Sequence, residues 1–192
     1  MHEVIDRTPS IRLRPGDTAP DFQARLLDGG SVRLADYRGQ RLLLIFVRHL
    51  ACLPCQEHLL EVEDRVSTIS RGGTRILVIS FDALDQVREY RSRLNLSFPI
   101  AADIARTAYS AYGLGKASFL QTWHSRTLWR YFMLWRKGRK IQRPGKGSDL
   151  SQLGADFVVG VDGTISYAHY SERPDDRPHI TKIINVAVNQ DR

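Results

Sequence analysis

The sequence predicts a three-layer α/β/α sandwich built on a central mixed sheet. Three observations carry that expectation. Leu42 to Val47 is an unbroken apolar run of strand length, suited to a strand covered on both faces. Strand-like and helix-like segments alternate along much of the chain. The chain then closes with a hairpin and an amphipathic helix.

The elements follow in order. Pro15-Gly16-Asp17 is turn chemistry, and residues 26–34 read as a short hairpin around Asp28-Gly29-Gly30. After the apolar strand, Leu59, Leu60, Val62 and Val66 fall at helical spacing, with Gly72-Gly73 as the stop. Ile76 to Ile79 is a second buried strand, and Val87, Tyr90 and Leu94 mark a second helix. Phe98 to Ala101 leads into a third helix around Thr107 to Tyr112. Phe157 to Val161 and Ile165 to Tyr170 are two strands joined through Asp162-Gly163. Pro178 to Val188 is the closing helix, and Asp175-Asp176 are its expected caps. One domain over residues 15–192 accounts for the chain, with residues 1–14 as a lead-in and an insertion at about 119–150.

Composition narrows the function. The chain has 192 residues, 42% of them hydrophobic and 26% charged, enough for one buried core. No apolar stretch approaches a membrane span, and the N-terminus lacks the order of a secretory signal, so a cytoplasmic protein is expected. The net charge of +7 is unevenly spread. No Asp or Glu lies between Ile104 and Ser148, a stretch holding ten Lys or Arg; the remainder carries −3.

The two cysteines are Cys52 and Cys55. A bridge between them closes almost no loop and adds little stability, so their value is chemical. They sit where a buried strand hands over to a helix. The unpaired N–H groups and positive end of a helix favour a thiolate there, and Pro54 suits the first turn. The expected roles make Cys52 the exposed, attacking sulfur and Cys55 the resolving one, with Arg48 beside the thiolate. Arg48 as a surface residue paired elsewhere is an equal alternative. A metal reading of His49-x-x-Cys52-x-x-Cys55-x-x-His58 is weaker, because one helix start cannot wrap four ligands around a tetrahedron. His58 is expected on the helix surface, and neither metal nor cofactor is expected.

At these residues the sequence resembles the AhpC/TSA peroxiredoxin-like branch of the thioredoxin superfamily, in particular its peroxiredoxin-like 2 group. The resemblance rests on Gly16 to Phe22, Val32 to Gly39, Phe46 to Cys55 and Asp149 to Tyr170. It implies a thioredoxin-like fold and thiol-dependent reduction of a peroxide or related substrate, renewed by a thioredoxin- or glutathione-type reductant. Two family features are absent. The Pro-x-x-x-Thr-x-x-Cys pattern is not matched, whether counted from Cys52 (Ile45, His49) or from Cys55 (Arg48, Cys52). No proline stands at Gly154-Ala155, where thioredoxins carry a cis-proline. A protein-disulfide reductase on the same fold and a non-enzymatic adaptor therefore stay open beside the peroxide reading.

The insertion holds all three tryptophans, Trp123, Trp129 and Trp135. Leu128, Tyr131, Phe132 and Trp135 form a helical apolar stripe, followed by Arg136, Lys137, Arg139, Lys140, Arg143 and Lys146. The simplest reading is a helix packed on the domain with a solvated basic loop after it. An anionic membrane surface is the next. Nucleic acid is not favoured, because no recognisable binding module is present. His169 reads as a half-buried strand histidine, and Tyr109 and Tyr112 as core aromatics.

Overall fold

The computed structural model describes residues 12–118, 124–139 and 149–189. Seven strands form one sheet: β1 (Gln23–Arg25), β2 (Ser31–Arg33), β3 (Arg41–Phe46), β4 (Thr74–Ser80), β5 (Ile100–Ala102), β6 (Ala155–Val159) and β7 (Ile165–Tyr170). Their spatial order is β2-β1-β5-β4-β3-β6-β7. β3, β4 and β5 run parallel, while β6 and β1 pair antiparallel to β3 and β5, so the sheet is mixed as expected.

β3 is buried along its whole length, because neighbours pair on both edges and both faces are covered. Period-two alternation splits its side chains. Leu43 and Ile45 join a core with α1 (Leu53–Glu63), α2 (Val66–Arg71), α3 (Leu84–Arg93) and α6 (Ile180–Asn189). Leu42, Leu44 and Phe46 join a second core with α4 (Thr107–Ala111), where Tyr109 and Tyr112 stack against Phe46. These two cores are the two outer interfaces of the sandwich. Within the insertion, residues 125–136 form α5 (Ser125–Arg136). Residues 1–11, 119–123 (with Trp123) and 140–148 lie outside the described residues. Among the described residues, no helix is long and apolar enough to cross a membrane.

Three local expectations are corrected. The run Leu59 to Val66 is two helices, because the chain breaks at Asp64-Arg65. Residues Ile100 to Ala102 are strand β5, not a lead into a helix. Three residues are too few to show a period, and pairing with β4 decides their state. Asp175 and Asp176 do not cap α6. Asp175 accepts a hydrogen bond from Thr127 Oγ1 at 2.7 Å, and Asp176 accepts one from the Glu172 N–H at 2.8 Å.

The end of β3 is where the fold aims the cysteines. Tyr109 OH donates to the Val47 carbonyl at 2.6 Å, holding the strand end one residue before Arg48. Leu50 N–H donates to Asp82 at 2.7 Å, and Gln56 Nε2 donates to the Leu50 carbonyl at 2.7 Å. Tyr109→Phe leaves that buried carbonyl short of a donor. It should lower the unfolding free energy by about 1–3 kcal/mol in urea titrations, with the fold retained.

Candidate active site

Cys52 is the residue before the first turn of α1, in extended conformation, and Pro54 lies within that turn. Proline is tolerated there because its missing N–H has no helical partner to lose. Both cysteines are free, and their sulfurs are within hydrogen-bonding reach of each other. Both are also buried, against the expectation of an exposed Cys52. The physical reason is α5: Tyr131 reaches over Cys52 with its hydroxyl 3.6 Å from Sγ.

Two arginines face the sulfurs. Arg48 Nη1 donates toward Cys52 Sγ at 3.6 Å. Its Nε donates to the Gln152 carbonyl at 3.0 Å, and its Nη2 to the carbonyl of Leu150. Arg48 is therefore buried and aimed, not a surface cation. Arg177, in the segment between β7 and α6, donates from Nη2 to Cys55 Sγ at 3.4 Å and to the Phe46 carbonyl at 3.1 Å. Its Nη1 donates to Asp156 Oδ2 at 3.0 Å. His58 Nε2 meets the other oxygen of Asp156 at 2.7 Å.

The charges follow from this packing. Burial, a hydrogen bond to Cys55 and the negative charge there hold the Cys52 thiol well above its ordinary range. Burial also pushes Cys55 up, but the hydrogen bond from Cys52 and the charges of Arg177 and Arg48 outweigh it. Cys55 is left well below the usual thiol range. Ionisation of the pair is thereby favoured at Cys55 over Cys52, because Arg177 and the Cys52 hydrogen bond both face the Cys55 sulfur. Burial would raise the Asp156 carboxyl, but contact with His58 and Arg177 lowers it to about 2. His49 adds no positive charge to the site at neutral pH, because burial lowers its pKa.

The structure therefore brings Arg48, Cys52 and Cys55 together, and adds Tyr131, Asp156, His58 and Arg177. His58 is buried against Asp156, a correction to its expected surface position, because the α1 turn after Cys55 faces β6. Asp156 left a readable trace: an acid in a strand buried at every position needs a partner. Arg177 left none, standing between an acidic pair and Pro178. His169 is half-buried on β7, 3.4 Å from Asp176. Gly154 explains the missing proline, because a Cβ there would run into the Arg177 guanidinium and the Phe46 carbonyl.

A dithiol at a strand-to-helix junction of this sandwich, its sulfurs faced by two guanidinium groups, defines a thioredoxin-like redox protein. Residues 15–168 match the AhpC/TSA family, and the chain belongs to that family. It is 34% identical over 109 residues to a Mycobacterium tuberculosis protein named as a peroxiredoxin, covering 55% of this chain and 69% of that one. It is 33% identical over 109 residues to the thiol-disulfide oxidoreductase ResA of Geobacillus thermodenitrificans, covering 56% and 62%. The crystal structure of peroxidoxin BcpB from Mycobacterium tuberculosis superposes with a TM-score of 0.68 at 17% identity, covering 92% and 97%. The fold is thioredoxin-like, and the protein is a thiol-dependent redox enzyme of the peroxiredoxin-like kind.

Arg177→Met removes the cation closest to Cys55. The pH at which the first thiolate forms should rise by about one to three pH units, read from thiolate absorbance near 240 nm. The depressed Asp156 carboxyl has a matching signature. Against about 3.9 in the unfolded chain, a native value of about 2 adds roughly 2–3 kcal/mol of stability above pH ~4. That increment should fade as the pH falls toward ~2, and Asp156→Asn should flatten the loss in acid unfolding curves.

Proposed function

We propose that the protein reduces a peroxide through Cys52 and Cys55, with Cys52 as the attacking sulfur, Cys55 as the resolving one and Arg48 as the group that steadies the charge on Cys52. The observation that carries this is the placement of two free thiols within reach of each other at the start of α1, with Arg48 Nη1 3.6 Å from Cys52 Sγ. Cys55 lies within hydrogen-bonding reach of Cys52 and its pKa is held low by Arg177 and Arg48, so it is placed to take the Cys52 proton as Cys52 attacks. Arg48 Nη1 and the start of α1 then face the negative charge as it arrives on Cys52.

The atoms balance in three steps. The Cys52 sulfur attacks one peroxide oxygen and the O–O bond breaks. The leaving oxygen departs as an alcohol or water after protonation, and Cys52 becomes a sulfenic acid. Cys55 sulfur displaces the hydroxyl from Cys52, giving a disulfide and water. An external thioredoxin-type dithiol, or two glutathione-type monothiols, reduces that disulfide and is itself oxidised to a disulfide. A disulfide substrate uses the same pair, with the first attack on sulfur instead of oxygen. Cys55 as the attacking sulfur is the second reading, favoured by its contact with Arg177.

Access requires α5 to move, because Tyr131 closes over Cys52. Its described ties to the domain are modest. Thr127 bonds Asp175 at 2.7 Å, Leu134 is buried, and beyond the helix end Arg139 pairs with Glu57 at 3.0 Å. Segments held by only a few contacts open locally before the domain unfolds.

Mass spectrometry of Cys52→Ser and Cys55→Ser proteins after one equivalent of hydrogen peroxide separates the roles. A sulfenic acid on Cys52 in the Cys55→Ser protein, and none on Cys55 in the Cys52→Ser protein, is the expected pattern. The reverse pattern assigns the attack to Cys55, and no oxidation in either overturns peroxide reduction. Arg139→Gln should speed iodoacetamide labelling of Cys52 by up to about fivefold, the worth of one partly exposed ion pair in the closed state.

A further inference from the structure

The outer face of α5 is not explained by the dithiol. Leu128, Trp129, Phe132 and Trp135 are 49%, 62%, 43% and 57% exposed. The expected stripe divides: Tyr131 turns inward to Cys52, and Trp129 takes its place outside. The rings lie against one another, with centroids 5.6 Å apart for Trp129–Phe132 and 6.1 Å for Phe132–Trp135. The result is a continuous apolar strip along a helix about 18 Å long. A soluble domain exposes such a strip where something covers it.

The charges beside the strip say what kind of surface that is. Arg126, Arg130 and Lys137 line one flank, and Arg136 lies over the Phe132 ring at 6.0 Å. Among the described residues, no carboxylate pairs with any of these four cations. Arg139, by contrast, is engaged by Glu57. The sequence supplies no acid anywhere between Ile104 and Ser148. Tryptophan and phenylalanine beside arginine and lysine, on one side of one helix, match the boundary of an anionic bilayer. There the rings enter the headgroup region and the cations meet lipid phosphates. A second copy of this chain fits less well, since a two-fold contact through this face would bring like charges together. Nucleic acid also fits less well, because no recognisable nucleic-acid-binding module accompanies the strip.

We propose that the outer face of α5 is a docking surface for anionic lipid bilayers, seating the protein with the roof of its dithiol against the membrane. The same short helix then carries both faces: Tyr131 over Cys52 on the inside, and the Trp129–Phe132–Trp135 strip on the outside. Docking is separate from the chemistry of the cysteines and needs no turnover.

The test is co-sedimentation of the full chain with vesicles of phosphatidylcholine alone and of phosphatidylcholine with phosphatidylglycerol in equal parts, at low and high salt. Binding to the anionic vesicles only, weakened by salt, is expected. Replacing Arg126, Arg130, Arg136 and Lys137 together by Gln should weaken that partition by at least about a hundredfold. Trp129→Ser with Trp135→Ser should weaken it by about tenfold or more. These positions are exposed, and circular dichroism and thiol titration of each variant check that the fold and dithiol are intact. Absence of binding to anionic vesicles overturns the proposal, as does equal binding by neutral vesicles or by the variants. Two further results also overturn it. One is self-association of the wild type that Trp129→Ser and Trp135→Ser abolish, which assigns the face to a second copy. The other is single-stranded oligonucleotide binding that outcompetes the vesicles. Peroxide oxidation of Cys52 proceeds or fails independently of every one of these outcomes.

Discussion

The charge arrangement around the two cysteines turns on Arg177, whose side chain is buried. A guanidinium taken out of water is tolerated only when anions and carbonyls surround it. Asp156 supplies one anion at 3.0 Å and Phe46 a carbonyl at 3.1 Å. The remaining contact is Cys55 Sγ at 3.4 Å. With Arg48 placed against Cys52, two guanidinium groups face one carboxylate and a pair of thiols. These cations favour ionisation of one thiol, at Cys55. What lowers the Cys55 pKa is therefore built into the packing of the core and does not rest on the helix terminus alone.

That balance explains the unusual neighbours. Asp156 stands in a strand whose other residues are all apolar and buried, a place where carboxylates seldom occur. His58 holds its second oxygen, which fixes the carboxylate for Arg177. Gly154 keeps open the space the guanidinium fills. Each of these residues looks incidental by itself, and together they form one chain of contacts from α1 through β6 to the segment before α6.

The sequence made the scaffold legible because the scaffold is periodic. The apolar run at β3, the hairpin around Asp162-Gly163 and the amphipathic α6 each announce themselves within a few residues. β5 did not, being three residues long and defined by its partners. The site was half legible for the same reason. Cys52, Cys55 and Arg48 are neighbours in sequence, so a local motif could gather them. Arg177 is 122 residues from Cys55, and Tyr131 is 79 residues from Cys52. Contacts at that separation are made by the topology, and no local pattern encodes them. His58 was misplaced because helical spacing fixes where a residue lies on its helix, not what the opposite face meets.

Charge balance also bears on the direction of the redox chemistry. In the proposed reaction, joining Cys52 and Cys55 removes the ionisable sulfur that sits against Arg177. Among the described residues, Asp156 is then the buried carboxylate left in contact with these two guanidinium groups. The same electrostatics that lower the Cys55 pKa therefore stabilise the reduced pair relative to the disulfide. A dithiol whose reduced form is stabilised in this way makes a more oxidising disulfide, readily returned to thiols by an external reductant. An enzyme that must be re-reduced after every turnover benefits from that bias. Here it arises from the arrangement that lets an arginine be buried beside a sulfur.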